Sequence, residues 1–144
     1  MYHYTECGLK NVWLTNGYQV CKFDGEKAVS ITDAEQLHEV IGRTLAAKST
    51  LSAAEIRFLR KELGLSQKRL ADLLGSTEQT VSLWERRGRI PTGYDRLIRL
   101  LYLENIDGNV KVQELIDRLI ELDDRQNVKL VLSDDTRAGW RLAA

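Results

Sequence analysis

The chain has 144 residues, 43% of them hydrophobic, and 21 basic against 21 acidic side chains. That is enough for one well-cored domain, or a smaller one with an appendage, and it excludes a disordered chain. No apolar run is long enough to span a membrane, and the first residues, Met1 to Glu6, lack the basic start and apolar core of a secretion signal. A cytoplasmic protein with no membrane partner is expected.

The zero net charge is an average over unlike parts. Residues 55–99 hold ten Lys/Arg against six Asp/Glu, a net of +4, whereas residues 1–54 carry five against six and residues 100–144 six against nine. The basic segment is the middle one.

From the start of the chain, Asn11 to Leu14, Tyr18 to Phe23 and Lys27 to Ile31 are short β-prone runs separated by Asn16-Gly17 and Asp24-Gly25. Both dipeptides favour tight hairpin turns, so a three-stranded meander is predicted. A helix follows Thr32-Asp33, with Leu37, Val40, Ile41 and Leu45 on one side. Cys7 and Cys21, with His3 and His38, are the only cysteines and histidines. Structural zinc normally takes four ligands, often as two close pairs, so two lone cysteines are read as reduced thiols and no metal or cofactor is expected.

Ser52-Ala53-Ala54-Glu55 has the spacing of a capping box, and a helix from there to about Glu62 would present Ile56, Leu59 and Leu63 before Gly64 stops it. Ser66 caps the next helix, in which Leu70, Leu73 and Leu74 share a stripe and Ala71 permits a close crossing. Gly75 ends it, and Ser76 is predicted to cap the helix after that, held down by Val81 and Trp84. The opposite face carries Thr77, Glu78, Gln79, Thr80, Ser82 and Leu83, side chains able to address base edges, with the leucine suited to a thymine methyl. Glu78 could equally favour its helix N-terminus. Arg86, Arg87 and Arg89 follow, where a loop beside a major-groove helix would meet phosphates. Beyond Ile90-Pro91, Thr92 is predicted to cap a helix carrying Leu97, Ile98, Leu100, Leu101 and Leu103.

The run Ser66-Gln67, Leu70-Ala71, Leu74-Gly75, Val81-Ser82, Trp84-Glu85, Gly88 and Pro91 resembles the XRE-type, Cro-like helix-turn-helix family over about residues 52–104. The resemblance implies double-stranded DNA as partner, Gln67 near a phosphate with Lys68 beside it, and Glu78, Gln79 and Leu83 facing bases. Relatives often place arginine or another polar residue at the position of Leu83, so a guanine contact from there is not expected. The layout is also similar to MqsA-type antitoxins through Tyr4-Thr5-Glu6-Cys7-Gly8-Leu9-Lys10-Asn11-Val12. Such relatives carry a Cys-x-x-Cys pair at the start; only Cys7 of it is kept here, so that resemblance implies a zinc fold that has lost its metal.

At the far end, Val112, Leu115, Ile116, Leu119, Ile120 and Leu122 follow helical spacing. Val128 to Leu132 and Gly139 to Leu142 read as strands joined by Ser133-Asp134-Asp135. The apolar stripe either covers its own core or meets a second copy. The expected fold is therefore α+β: a small β-meander and helix over residues 1–49, a four- or five-helix XRE-type helix-turn-helix domain over 50–105, and a helix with a β-prone tail over 106–144. A homodimeric, sequence-specific repressor is the expected function. The alternative is an antitoxin whose partner is a toxin protein. No nucleophile–base constellation or phosphate-cradling glycine loop suggests an enzyme.

Overall fold

The computed structural model of the chain describes residues 1–108, 114 and 129–143. The predicted helix over 112–122 and the start of the strand at Val128 lie outside these. Within them the order is β1 (Tyr2–His3), β2 (Trp13–Leu14), β3 (Tyr18–Phe23), β4 (Glu26–Ile31), α1 (Ala34–Ala46), α2 (Ala53–Glu62), α3 (Gln67–Leu74), α4 (Glu78–Arg87), α5 (Thr92–Ile106), β5 (Leu132–Asp135) and β6 (Gly139–Leu142). This is the α+β architecture expected.

The predicted meander is instead two separate antiparallel pairs. The segment at the start, not anticipated as a strand, takes the edge of β2 through Tyr2 opposite Leu14 and His3 opposite Trp13. The bond from the Tyr4 N–H to the Val12 carbonyl, 2.9 Å, continues this pairing. Gly17 does not fold β2 onto β3; its carbonyl accepts from the Thr32 N–H and lengthens the β3–β4 hairpin. Asp24 and Gly25 do make the expected turn, with φ of 49° and 82°. Two successive positive φ values match the twist of the flanking strands.

Asp33 caps α1, accepting from the Gln36 N–H, and the capping box of Ser52 and Glu55 starts α2 as read. Val40 departs from the predicted apolar side of α1: it is 55% exposed, while Ile41, Leu45 and Ala46 are buried. Pro91 rather than Thr92 occupies the cap position of α5. Its fixed φ leads directly into helix, which leaves Thr92 as the first helical residue. Leu97 and Leu100 are on the outer side of α5, and Ile98, Leu101 and Tyr102 are buried.

One hydrophobic cluster runs from Tyr4 and Leu9 through Ile41 and Leu45, Ile56 and Leu59, Leu70 and Val81 to Ile98 and Tyr102. A buried carboxylate ties α5 to the residues just before α2. Asp95 on α5 accepts from the Leu51 N–H at 2.8 Å and from Arg99 Nε at 2.7 Å. Arg99 in turn donates to the carbonyls of Ala46 and Lys48, so α5 holds the α1–α2 connection. The last hairpin is shifted from the expected register. Ser133, Asp134 and Asp135 lie in β5, and the turn is Thr136 to Ala138, where the Asp135 carboxylate accepts from the Arg137 N–H.

Candidate nucleic-acid interface

Two helices of eight and ten residues, α3 and α4, carry the candidate interface. The connection between them is built twice over in this chain. At the end of α2, Gly64 adopts φ 72° and the Leu65 N–H reaches back to the Arg60 carbonyl. Ser66 then caps α3. At the end of α3, Gly75 adopts φ 69° and the Ser76 N–H reaches back to the Ala71 carbonyl at 2.8 Å. Each is a six-to-one closure that consumes the residue after the glycine. Ser76 is thereby spent on the outgoing helix, and the cap of α4 moves from the predicted Ser76 to Thr77, whose hydroxyl accepts from the Thr80 N–H. The matching Gly-x-Ser/Thr spacing at residues 64–66 was the signal that could have placed it.

Val81 and Trp84, at 0% and 5% exposure, pin one side of α4. The Trp84 ring also lies 5.1 Å from that of Tyr94 on α5. Glu78, Gln79 and Leu83 point the other way and are exposed, Leu83 by 38%. Thr80 and Ser82 are half-buried. The Thr77 and Thr80 hydroxyls already bond each other at 2.8 Å, so both are engaged in the cap. Gln67 is half-buried at the first turn of α3, and Lys68 is exposed beside it.

The three arginines that follow α4 are all exposed but are held differently. Arg86 folds back along its own helix, Nε 3.3 Å from the Ser82 carbonyl. Arg87 ends the helix, and Arg89 sits in the left-handed region at φ 52°, next to Gly88 at φ 77°. A non-glycine residue there is uncommon and costs roughly 1 kcal/mol or more. The loop is turned sharply, and Arg87 and Arg89 are exposed at the end of α4.

Sequence reading missed the residue that braces α4. Arg60, 9% exposed, makes two 2.8 Å bonds to Glu85, Nε to Oε2 and the terminal nitrogen to Oε1, and donates a third to the Leu65 carbonyl. An arginine inside the apolar stripe of Ile56, Leu59 and Leu63 was a sign of a buried partner, though nothing local named Glu85.

Three of the four candidate zinc donors are otherwise engaged. Cys7 donates to the Tyr4 carbonyl, His3 bonds the Lys10 carbonyl, His38 lies between Tyr4 and Glu62, and Cys21 is exposed on β3. Among the described residues no three His, Cys, Asp or Glu side chains are grouped to hold a metal ion. No helix among them is long and apolar enough to cross a membrane.

A pair of short helices crossing through a glycine closure, the second anchored on one side and polar on the other, defines a helix-turn-helix DNA-binding domain. Residues 56–100 match the family model described as helix-turn-helix, of the XRE type found in DNA-binding transcription regulators. No curated protein and no solved structure matches the chain.

Proposed function

We propose that the protein is a dimeric transcriptional repressor, each copy laying α4 into the major groove of one half of an inverted-repeat operator. Half-sites would then lie about 34–36 Å apart, or a multiple of that distance. What supports this most is the outward set Glu78, Gln79 and Leu83 on a helix whose other side is immobilised by Val81, Trp84 and the Arg60–Glu85 pair. Side chains that address bases must be held in register before they meet them, and this arrangement does so.

In this reading the Gln79 amide bonds N6 and N7 of an adenine, Leu83 touches a thymine methyl, and Glu78 accepts from a cytosine amine. Ser82, Thr80 and Thr77 complete that surface. Gln67, Lys68, Arg86, Arg87 and Arg89 meet phosphates on either side. The division into residues 1–49, 50–105 and 106–144 assigns dimerisation to the last part. Selection of sites from random duplex provides the operator. Gln79→Ala is then expected to weaken the selected site by about 1–3 kcal/mol and relax one base position. Unchanged preference would refute the assignment of α4.

A second reading, an antitoxin similar to the MqsA type, is favoured by the last hairpin. Leu132 pairs directly with Leu142, and with Trp140 they are 55–74% exposed, a surface suited to a protein partner. An adjacent reading frame for a small nuclease-like protein that co-purifies with this chain would support it; a neighbouring frame of another kind would count against it.

A further inference from the structure

A cleft of about 460 Å³ opens between the Glu6–Gly8 turn, α1 and α2, with Glu85 of α4 at its wall. Its volume is that of a small-molecule site. The charged groups around it are not equivalent. Every carboxylate already accepts a hydrogen bond: Glu6 from the Tyr2 hydroxyl, Glu62 from His38 at 2.8 Å, and Glu85 from the Arg60 guanidinium at 2.8 Å. Arg57 and Lys61, both exposed into the cleft from one stripe of α2, have no ion-pair or hydrogen-bonding partner among the described residues. Residues four apart stand one above the other on a helix, so the two cations address the same space. Phe58 and the small side chains of Ala53 and Ala54 give the cleft an apolar wall.

We propose that this cleft binds a small organic anion, its carboxylate or phosphate groups on Arg57 and Lys61 and its apolar body against Phe58. Such a ligand would touch the N-terminal turn and the helix that holds α4 at once. The site stands independently of how α4 meets DNA.

The test uses the full chain and two probes, citrate for carboxylates and inorganic pyrophosphate for phosphates, at matched ionic strength. One of them is expected to raise Tm saturably, by about 3–6 °C when present at ten times its Kd. Which one does so assigns the ligand chemistry. The rise should vanish in Arg57→Gln/Lys61→Gln and persist in Arg86→Gln/Arg87→Gln. The single variant Lys61→Met, with a lowered response expected, serves if the double variant does not fold. No saturable rise with either probe, or an equal rise in the cleft variants, overturns the proposal. Duplex binding provides a separate arm. The salt slope of the cleft variants should equal that of the unchanged protein; a slope reduced by about two would give both cations to DNA phosphates instead and overturn the site.

Discussion

Arg60 on α2 and Glu85 on α4 are joined by two 2.8 Å bonds across 25 residues of chain, with side-chain exposures of 11% and 4%. A planar guanidinium matches a carboxylate in this paired geometry, which fixes direction as well as distance. The helix that presents Gln79 is thus tied to the helix that precedes the motif.

Removing one partner leaves the other charge buried and unmatched. Glu85→Ala is expected to lower stability by about 3–5 kcal/mol, read from urea unfolding midpoints. Arg60→Lys should recover little of the interaction, because an ammonium cannot make both bonds. A double-mutant cycle that returned no coupling would show the pair to be incidental.

Gly42 illustrates close approach. A methyl group built there would lie 2.0 Å from the Tyr102 oxygen and 2.2 Å from Cζ of the ring. The ring is 2% exposed and has nowhere to retreat. Gly42→Ala would gain about 1 kcal/mol of helix propensity, but overpacking costs about 1–3 kcal/mol or more, and a net loss of stability is expected. Trimming the ring with Tyr102→Leu should make the pair of changes less costly than their sum; simple additivity would exclude the clash as the cause.

Glu55 links stability to acid. Burial raises its pKa, but the Lys48 ammonium at 2.8 Å and the Ser52 N–H outweigh that, and the carboxyl titrates below its ordinary value of 4.5. Its contribution is complete above the unfolded value and is lost as pH falls through the folded one. Glu55→Gln should therefore be destabilised at neutral pH and show a flatter acid limb below about pH 4.5. Parallel acid limbs for the two proteins would contradict this.

Tyr102 does the same at the alkaline end with the sign reversed. Burial, and after it the nearby carboxylates of Glu62 and Glu39, push its hydroxyl from 10.0 up to about 12. The stability it supplies is whole below pH 10.0 and disappears as pH climbs toward about 12. The Tyr2 hydroxyl, bonded to Glu6, is raised to about 12 as well, so ultraviolet titration should show a late step whose amplitude Tyr102→Phe reduces; an unchanged amplitude would assign the step to other tyrosines.

Arg89 separates fold from binding. Its φ of 52° is one that glycine adopts freely. Arg89→Gly should leave the unfolding midpoint nearly unchanged, since relief of the left-handed strain is offset by glycine's greater unfolded-state entropy, while reducing the salt slope of duplex binding by about one. A large loss of stability would mean that the arginine side chain, not its backbone, holds the loop.

The helical part of this protein was legible because its instructions are local. Ser52 with Glu55, Ser66, Gly64 and Gly75 each act within a turn or two of the chain, through hydroxyl caps and left-handed closures. So did Asp24-Gly25, whose backbone preference needs no outside contact. The spacing of Val81 and Trp84 likewise gave the buried side of α4, and with it the outward position of Gln79.

Other features needed three dimensions. Which strand borders β2 was not written locally: Tyr2–His3 pairs with it, while Tyr18–Phe23 pairs with Glu26–Ile31. That choice lies in pairing partners far apart in sequence, and alternation within one segment cannot report it. The partners of Arg60 and Asp95, the ring beside Gly42, and the lack of partners for Arg57 and Lys61 among the described residues are likewise set by packing. The sequence determined where helices begin, end and turn, since caps and glycines act over a few bonds. Tertiary structure decided which charges are matched and which are left open, because Coulomb and packing energies depend on distances that only the folded chain defines.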